Sequence, residues 1–361
     1  MALSGPIRHT VGRKITREYF LSAVNPKPET LGRKDLPRAD EFPAYPASWY
    51  WLGTRREFSA KPRSVRLFGR DLVAYRDDKN KVVVMDARCS HMGADLSNGT
   101  VEGGQITCPF HGWKYGSDGH CVSIPHGGEI PKFAWQRTYA VEERNDCVYV
   151  FNGSEALFPM PFFYDQEPDD FVCGRPFSLN AKSTWYMISA HAFDVQHFET
   201  VHDRKLLSPP VIDCPTPFGR RCTHHSQVAG STVFDRLLRI FASKTVTVQL
   251  TIWGNNFCMV EGKFDRVTSR FFLMMSPQDD GTTQVHGTIF KRRSKIPLIG
   301  SFIDKVGLET RRLFTAGYLD DENTVLGSPQ YRPATMVEQD KEVADYFHWA
   351  LAVSQKVKPI E

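Results

Sequence analysis

Two short pairs, Cys89-Ser-His91 and Cys108-Pro-Phe-His111, constrain this chain more than any other feature. Donors in this pattern suit two loops closing over one metal centre from opposite sides. Two thiolates and two imidazoles can hold a single zinc, but zinc sites favour Cys-x2-Cys and His-x3-5-His pairs. The mixed pattern suits a 2Fe-2S cluster better, with both thiolates on one iron and both imidazoles on the other. Such ligation lifts the potential to roughly −150 to +300 mV, above the roughly −400 mV of all-cysteine plant-type clusters.

The surrounding pattern is that of short strands. Ser64-Val-Arg-Leu-Phe, Asp71-Leu-Val-Ala-Tyr and Lys81-Val-Val-Val-Met are separated by turn residues, and a hairpin from Thr138 to Phe151 turns at Arg144-Asn-Asp. The Cys/His pairs follow strand ends, and Gly93, Gly103, Gly104, Gly112, Gly116 and Gly119 allow tight turns there. With 361 residues the chain is long for one core. Proline punctuation from Pro159 to Pro176 divides it, giving an arm at 1–45 and domains at 46–156 and 157–361. The second domain reads as a helix over about 183–202, then strands at 245–253, 257–265, 268–276 and 284–292. A closing helix from about 302 to 326 covers the sheet.

The stretch Cys89 to Gly116, CSHMGADLSNGTVEGGQITCPFHGWKYG, resembles the Rieske domain of the non-haem iron ring-hydroxylating oxygenase family. Ala94 and Phe110 stand where respiratory Rieske proteins carry a disulfide. Ala47-Ser-Trp-Tyr, Leu67-Phe-Gly-Arg and Val84-Met-Asp are similar to the monooxygenase branch of ketosteroid 9α-hydroxylases and aminopyrrolnitrin oxygenases. The resemblance implies an α+β chain. It would join an N-terminal all-β Rieske 2Fe-2S domain to a C-terminal antiparallel sheet covered by helices in a helix-grip-like arrangement.

Asp194-Val-Gln-His197-Phe-Glu-Thr-Val-His202 is the second candidate site. His202 lies about 140° round a regular helix from His197, so both reach one metal only if the helix ends or bulges between them. Alone, the motif reads equally well as a surface helix with two solvated histidines. With Trp185 ahead of it, it resembles the family's mononuclear Fe(II) site, where two histidines and one carboxylate leave positions open for O2. The resemblance takes the carboxylate from a C-terminal helix. Asp320, Asp321 and Glu322 are the candidates, and Asp321 fits the register to Asp340 and Trp349. In the family the aspartate matching Asp194 bridges the iron site of one subunit to a Rieske histidine of the next, here His197 to His111, which implies a homotrimer. His191 departs from the family pattern and can bond a ligand, pack, or ligate.

The remaining expectations are broader. With 45 basic against 41 acidic residues and a net charge of +4, no nucleic-acid partner is expected. No run of eighteen apolar residues and no signal-peptide core occurs, so a cytoplasmic enzyme without a transmembrane segment is expected. Cys121, Cys147, Cys173, Cys214, Cys222 and Cys258 read as free thiols. No Gly-x-Gly-x2-Gly or plant-type Cys-x4-Cys-x2-Cys run occurs. NAD(P)H electrons would therefore come from a separate reductase, with or without a ferredoxin. Trp253, Phe257, Met259, Phe272 and Met274 are candidate walls for a hydrophobic aromatic or polycyclic substrate, though core packing explains them equally. Hydroxylation leads, arylamine N-oxygenation follows, and a Rieske electron-transfer protein is the alternative of another class.

Overall fold

The computed structural model describes residues 36–125, 127–326 and 329–356. Most of the expected arm lies outside the described residues. Its end is pinned to the C-terminal half: Trp185 Nε1 donates to the Pro43 carbonyl at 3.0 Å, and the Tyr331 hydroxyl to that of Pro37 at 2.5 Å.

Ten strands build the first half: β1 (Trp49–Thr54), β2 (Arg63–Leu67), β3 (Arg70–Arg76), β4 (Val82–Asp86), β5 (Thr100–Glu102), β6 (Gln105–Thr107), β7 (Lys114–Tyr115), β8 (Cys121–Ser123), β9 (Val141–Arg144) and β10 (Cys147–Phe151). They form three small antiparallel sheets, β1-β10-β9, β2-β3-β4 and β5-β6-β7-β8. The expected runs are strands, and Asn145 and Asp146 turn the β9–β10 hairpin at φ of 49° and 59°, the backbone that a two-residue primed turn requires.

The second half is one nine-stranded sheet with helices. Its strands are β11 (Phe171–Cys173), β12 (Phe177–Ala181), β13 (Arg204–Leu206), β14 (Val211–Thr216), β15 (Gly219–Val228), β16 (Thr245–Trp253), β17 (Phe257–Lys263), β18 (Thr268–Pro277) and β19 (Thr283–Arg292). The main path runs β11-β19-β18-β17-β16-β15-β13. The helices are α1 (Trp185–Ala190), α2 (Val195–Thr200), α3 (Val233–Phe241), α4 (Gly300–Leu326) and α5 (Lys341–Gln355). The sequence reading missed α3, α5 and the strands before β16.

Period-two alternation sends the two faces of this sheet to different neighbours. Ile252, Cys258, Val260, Phe271 and Met275 pack toward α1 and α5, against Trp185, Tyr186 and Phe347. Trp253, Phe257, Met259, Phe272 and Met274 pack on Trp49, Tyr149 and Phe151 of the first half. Of the two readings of the second group, cavity wall or core packing, the structure bears out core packing and corrects the first. Those side chains point the other way and form the core that joins the two halves.

Candidate metal centres

The four expected residues of the first half come together on two loops of like construction. Cys89 and Cys108 each open a loop that a glycine closes: Gly93 N–H bonds the Cys89 carbonyl at 2.8 Å, and Gly112 N–H that of Cys108 at 3.1 Å. Both glycines have φ near +70°, a conformation costly for other residues. The two cysteines are buried. The His91 and His111 rings sit 4.7 Å apart, with His91 stacked on Trp113 at 4.3 Å. The Tyr115 hydroxyl lies 3.1 Å from Cys89 Sγ and 3.0 Å from Ser90 Oγ. Burial raises the Cys108 thiol above its ordinary range, and the adjacent Cys89 raises it further.

Gln136, which the sequence reading did not single out, props the first loop. It accepts from Ser90 N–H at 3.0 Å and donates to the Asp86 and Arg88 carbonyls at 3.2 and 2.9 Å. Its signal was unreadable because the partners of its side chain lie 46 to 50 residues upstream. The donor set suits a two-iron cluster, with paired sulfurs inside and paired imidazoles outside. His91 Nδ1 is buried without a hydrogen-bond partner, as a lone pair reserved for a metal would be.

The second set forms where a helix breaks. The expected 183–202 helix is α1, a 3-10 turn at His191–Phe193, and then α2. Asp194 interrupts it at φ −83° and ψ 95° and caps α2, its Oδ1 accepting His197 N–H at 3.2 Å. Helix α2 ends at Thr200, with Val201 N–H bonding the His197 carbonyl at 2.9 Å. That ending meets the geometric demand. The His197 and His202 rings lie 4.8 Å apart and both are buried. Arg204 locks the segment by donating to the His202 carbonyl at 2.7 Å and to Asp235 of α3 at 2.9 Å.

His191 packs its ring 5.2 Å from that of His197 and bonds the Met187 carbonyl through Nδ1 at 2.9 Å. His224 of β15 stands 4.3 Å from Phe198, and burial, followed by the nearby imidazoles, depresses its pKa to about 4. Asp321 falls on α4, but its side chain and those of Asp320 and Glu322 lie outside the described residues. Among the described residues no three His, Cys, Asp or Glu side chains surround one metal position. The first set divides two and two; the second contributes two imidazoles.

A cavity of about 400 Å³ adjoins the second set. His197, Val248, Leu250, Val260, Phe271 and Leu273 are among its walls, so the face opposite the expected one supplies them. Its lining is mainly apolar, with few polar groups, as small-molecule sites commonly have.

Comparison with known proteins identifies the first domain and the overall fold. Residues 48–134 match the model of the Rieske [2Fe-2S] domain. The chain superposes on dicamba monooxygenase bound to dicamba, with TM-score 0.64 and 15% identity across 87% of this chain and 98% of that one. The chain carries a Rieske domain and the fold of the Rieske oxygenases. NdmB of Pseudomonas putida CBB5 gives TM-score 0.62 and 21% identity over 90% of this chain and 94% of that one. In sequence, the chain is 38% identical over 134 residues to the oxygenase component of 3-ketosteroid-9-alpha-monooxygenase of Mycolicibacterium smegmatis, covering 37% of this chain and 35% of that protein. It is 42% identical over 161 residues to a Rhodococcus rhodochrous protein of the same name, covering 43% and 41%. Aminopyrrolnitrin oxygenase PrnD of Pseudomonas fluorescens is 37% identical over 166 residues, covering 43% and 46%. The matches thus span less than half the length of these relatives.

Proposed function

We propose that this chain is the terminal oxygenase component of a Rieske non-haem iron monooxygenase. It would hydroxylate a hydrophobic aromatic or polycyclic substrate with O2 and with NAD(P)H electrons from a separate reductase, with or without a ferredoxin. One observation carries the reading: two buried imidazoles 4.8 Å apart adjoin a mainly apolar cavity in a chain that also has a Rieske domain.

When bound, the cluster supplies single electrons and the mononuclear iron supplies open positions for dioxygen. Cys89, Cys108, His91 and His111 hold the cluster. His197 and His202, with Asp321 from α4, hold the iron. Asp194 keeps its carboxylate at the start of α2, anchored by the His197 backbone N–H; as a bridge it would orient the imidazoles on either side. In a homotrimer the same carboxylate would face the His111 of an adjoining subunit. The division into 46–156 and 157–361 follows the same reading, the first part carrying the cluster and the second the iron and substrate.

The partial match to aminopyrrolnitrin oxygenase supports arylamine N-oxygenation as a second reading. Holoprotein reconstituted with a reductase, given polycyclic ketones and arylamines in turn, tests both. Oxygen uptake that depends on substrate, with a product carrying one oxygen atom from O2, is expected. Reversible reduction of the cluster with no substrate-dependent oxygen uptake would leave an electron-transfer protein instead.

A further inference from the structure

One end of the large sheet carries apolar side chains turned outward. Helix α3 is inverted relative to an ordinary surface helix. Two of its three charged residues turn inward, Asp235 to Arg204 and Arg239 to the Val228 and Gly230 carbonyls, while Arg236 faces out. Val233, Leu237, Ile240 and Phe241 turn outward, Phe241 at 69% exposure. The segment after β19 behaves alike. Ile296, Leu298 and Ile299 are exposed, and α4 continues the strip with Phe302, Val306 and Leu313, while Asp304 on its inner side bonds Lys291 and Ser294 N–H. Leu298 is fully exposed at φ +64°, a conformation unfavourable for leucine.

Both features lie at the same end of the sheet. Helix α3 leads into β16, and Lys263 and Thr268, at the ends of β17 and β18, pair there. Arg266 in the intervening turn donates to the Ile240 carbonyl of α3 at 2.7 Å. The rim is cationic. Residues 291–299 hold four basic residues and no acidic one. Arg236, Lys244, Arg266, Arg293, Lys295 and Lys305 are all exposed. Asp235 and Asp304 are buried and paired, Glu309 is tied to Arg312, and Asp265, the exposed acid beside Arg266, accepts from Ser243 Oγ at 2.6 Å.

Leu237 and Phe241 are exposed and also line the cavity, so the cavity reaches the surface along α3. We propose that this end of the sheet is a peripheral docking surface for an anionic lipid bilayer, with α3 and residues 296–302 seated among the headgroups. Outward apolar side chains inside a basic rim are the pattern that binds an interface by apolar burial and electrostatic attraction together. No described helix is long and apolar enough to cross a bilayer, so the association is at the surface. A lipophilic substrate would pass from the bilayer into the cavity along α3. The inference goes beyond the oxygenase reading, and vesicle binding is measured without turnover, so each can fail alone.

Holoprotein sedimented with vesicles of phosphatidylcholine alone, or of phosphatidylcholine with phosphatidylglycerol, tests it. Binding to the anionic vesicles should exceed binding to the neutral ones by at least about fivefold at low salt. It should collapse in about 0.5 M salt, where charges are screened within a few ångströms. Leu298→Asp, on a backbone conformation that aspartate tolerates, should keep the cluster spectrum and lose most vesicle binding; Lys295→Glu should weaken it. Equal binding to both vesicle types, undiminished binding by Leu298→Asp, or no vesicle binding would overturn the proposal. So would an assembly in solution that buries this face between copies and that Leu298→Asp separates.

Discussion

At Asp194 one carboxylate caps a helix and, on the proposed reading, couples two redox sites. The two roles separate by substitution. Asparagine caps helices about as well as aspartate, whereas alanine costs about 1 kcal/mol. Asp194→Asn should therefore keep the melting temperature and both metal sites while turnover falls by about a hundredfold; unchanged turnover removes the coupling role. His197→Ala should release the mononuclear iron and leave the Rieske absorption intact, and retention of all iron would refute its ligand role. His286 carries a pH effect. Burial depresses its pKa to about 4, so below pH of about 6.5 the unfolded chain binds a proton that the folded chain refuses. Its contribution to stability is complete above that pH and is lost as pH falls toward 4. His286→Gln should flatten the decline of melting temperature across that window relative to the wild type.

The broken helix between Trp185 and Thr200 shows what an element adds to a motif. Asp194 leaves the helical region and restarts the helix as its cap, and the stop at Thr200 brings His202 beside His197. The sequence revealed the residues and required some break, because the spacing fails on a regular helix. Arg204 and Asp235, which hold the segment from α3, were not legible, since nothing local links positions so far apart. Both are buried, and removing one partner of such a pair costs about 3–5 kcal/mol. Asp235→Ala should lower the melting temperature and the iron occupancy together. The sheet gave a subtler error. The positions of β16 to β19 were read nearly to the residue, but which alternate set faced the cavity depends on what packs above and below, which the strand pattern does not encode. Phe272→Ala should thus cost about 3–5 kcal/mol of stability with little change in substrate preference, whereas Leu250→Trp, filling the cavity, should suppress turnover with iron retained.

At the scale of the molecule, the two halves meet through one aromatic core, Trp49, Tyr149 and Phe151 against Phe257 and Phe272. The cluster loops and the histidine pair are thereby parts of one scaffold. The loops were legible because their donors and glycines sit within short stretches of sequence. The cavity was not, because β16, β17, β18, α3 and α4 build it together from residues spread over much of the second half. The central claim is that one chain holds two unlike iron sites, one with inorganic sulfide and one without. The ratio of iron to acid-labile sulfide in purified holoprotein tests it most directly: the account predicts about 1.5, from about three irons and two sulfides per chain, and a ratio of about 1.0 in protein with a full cluster spectrum would contradict it.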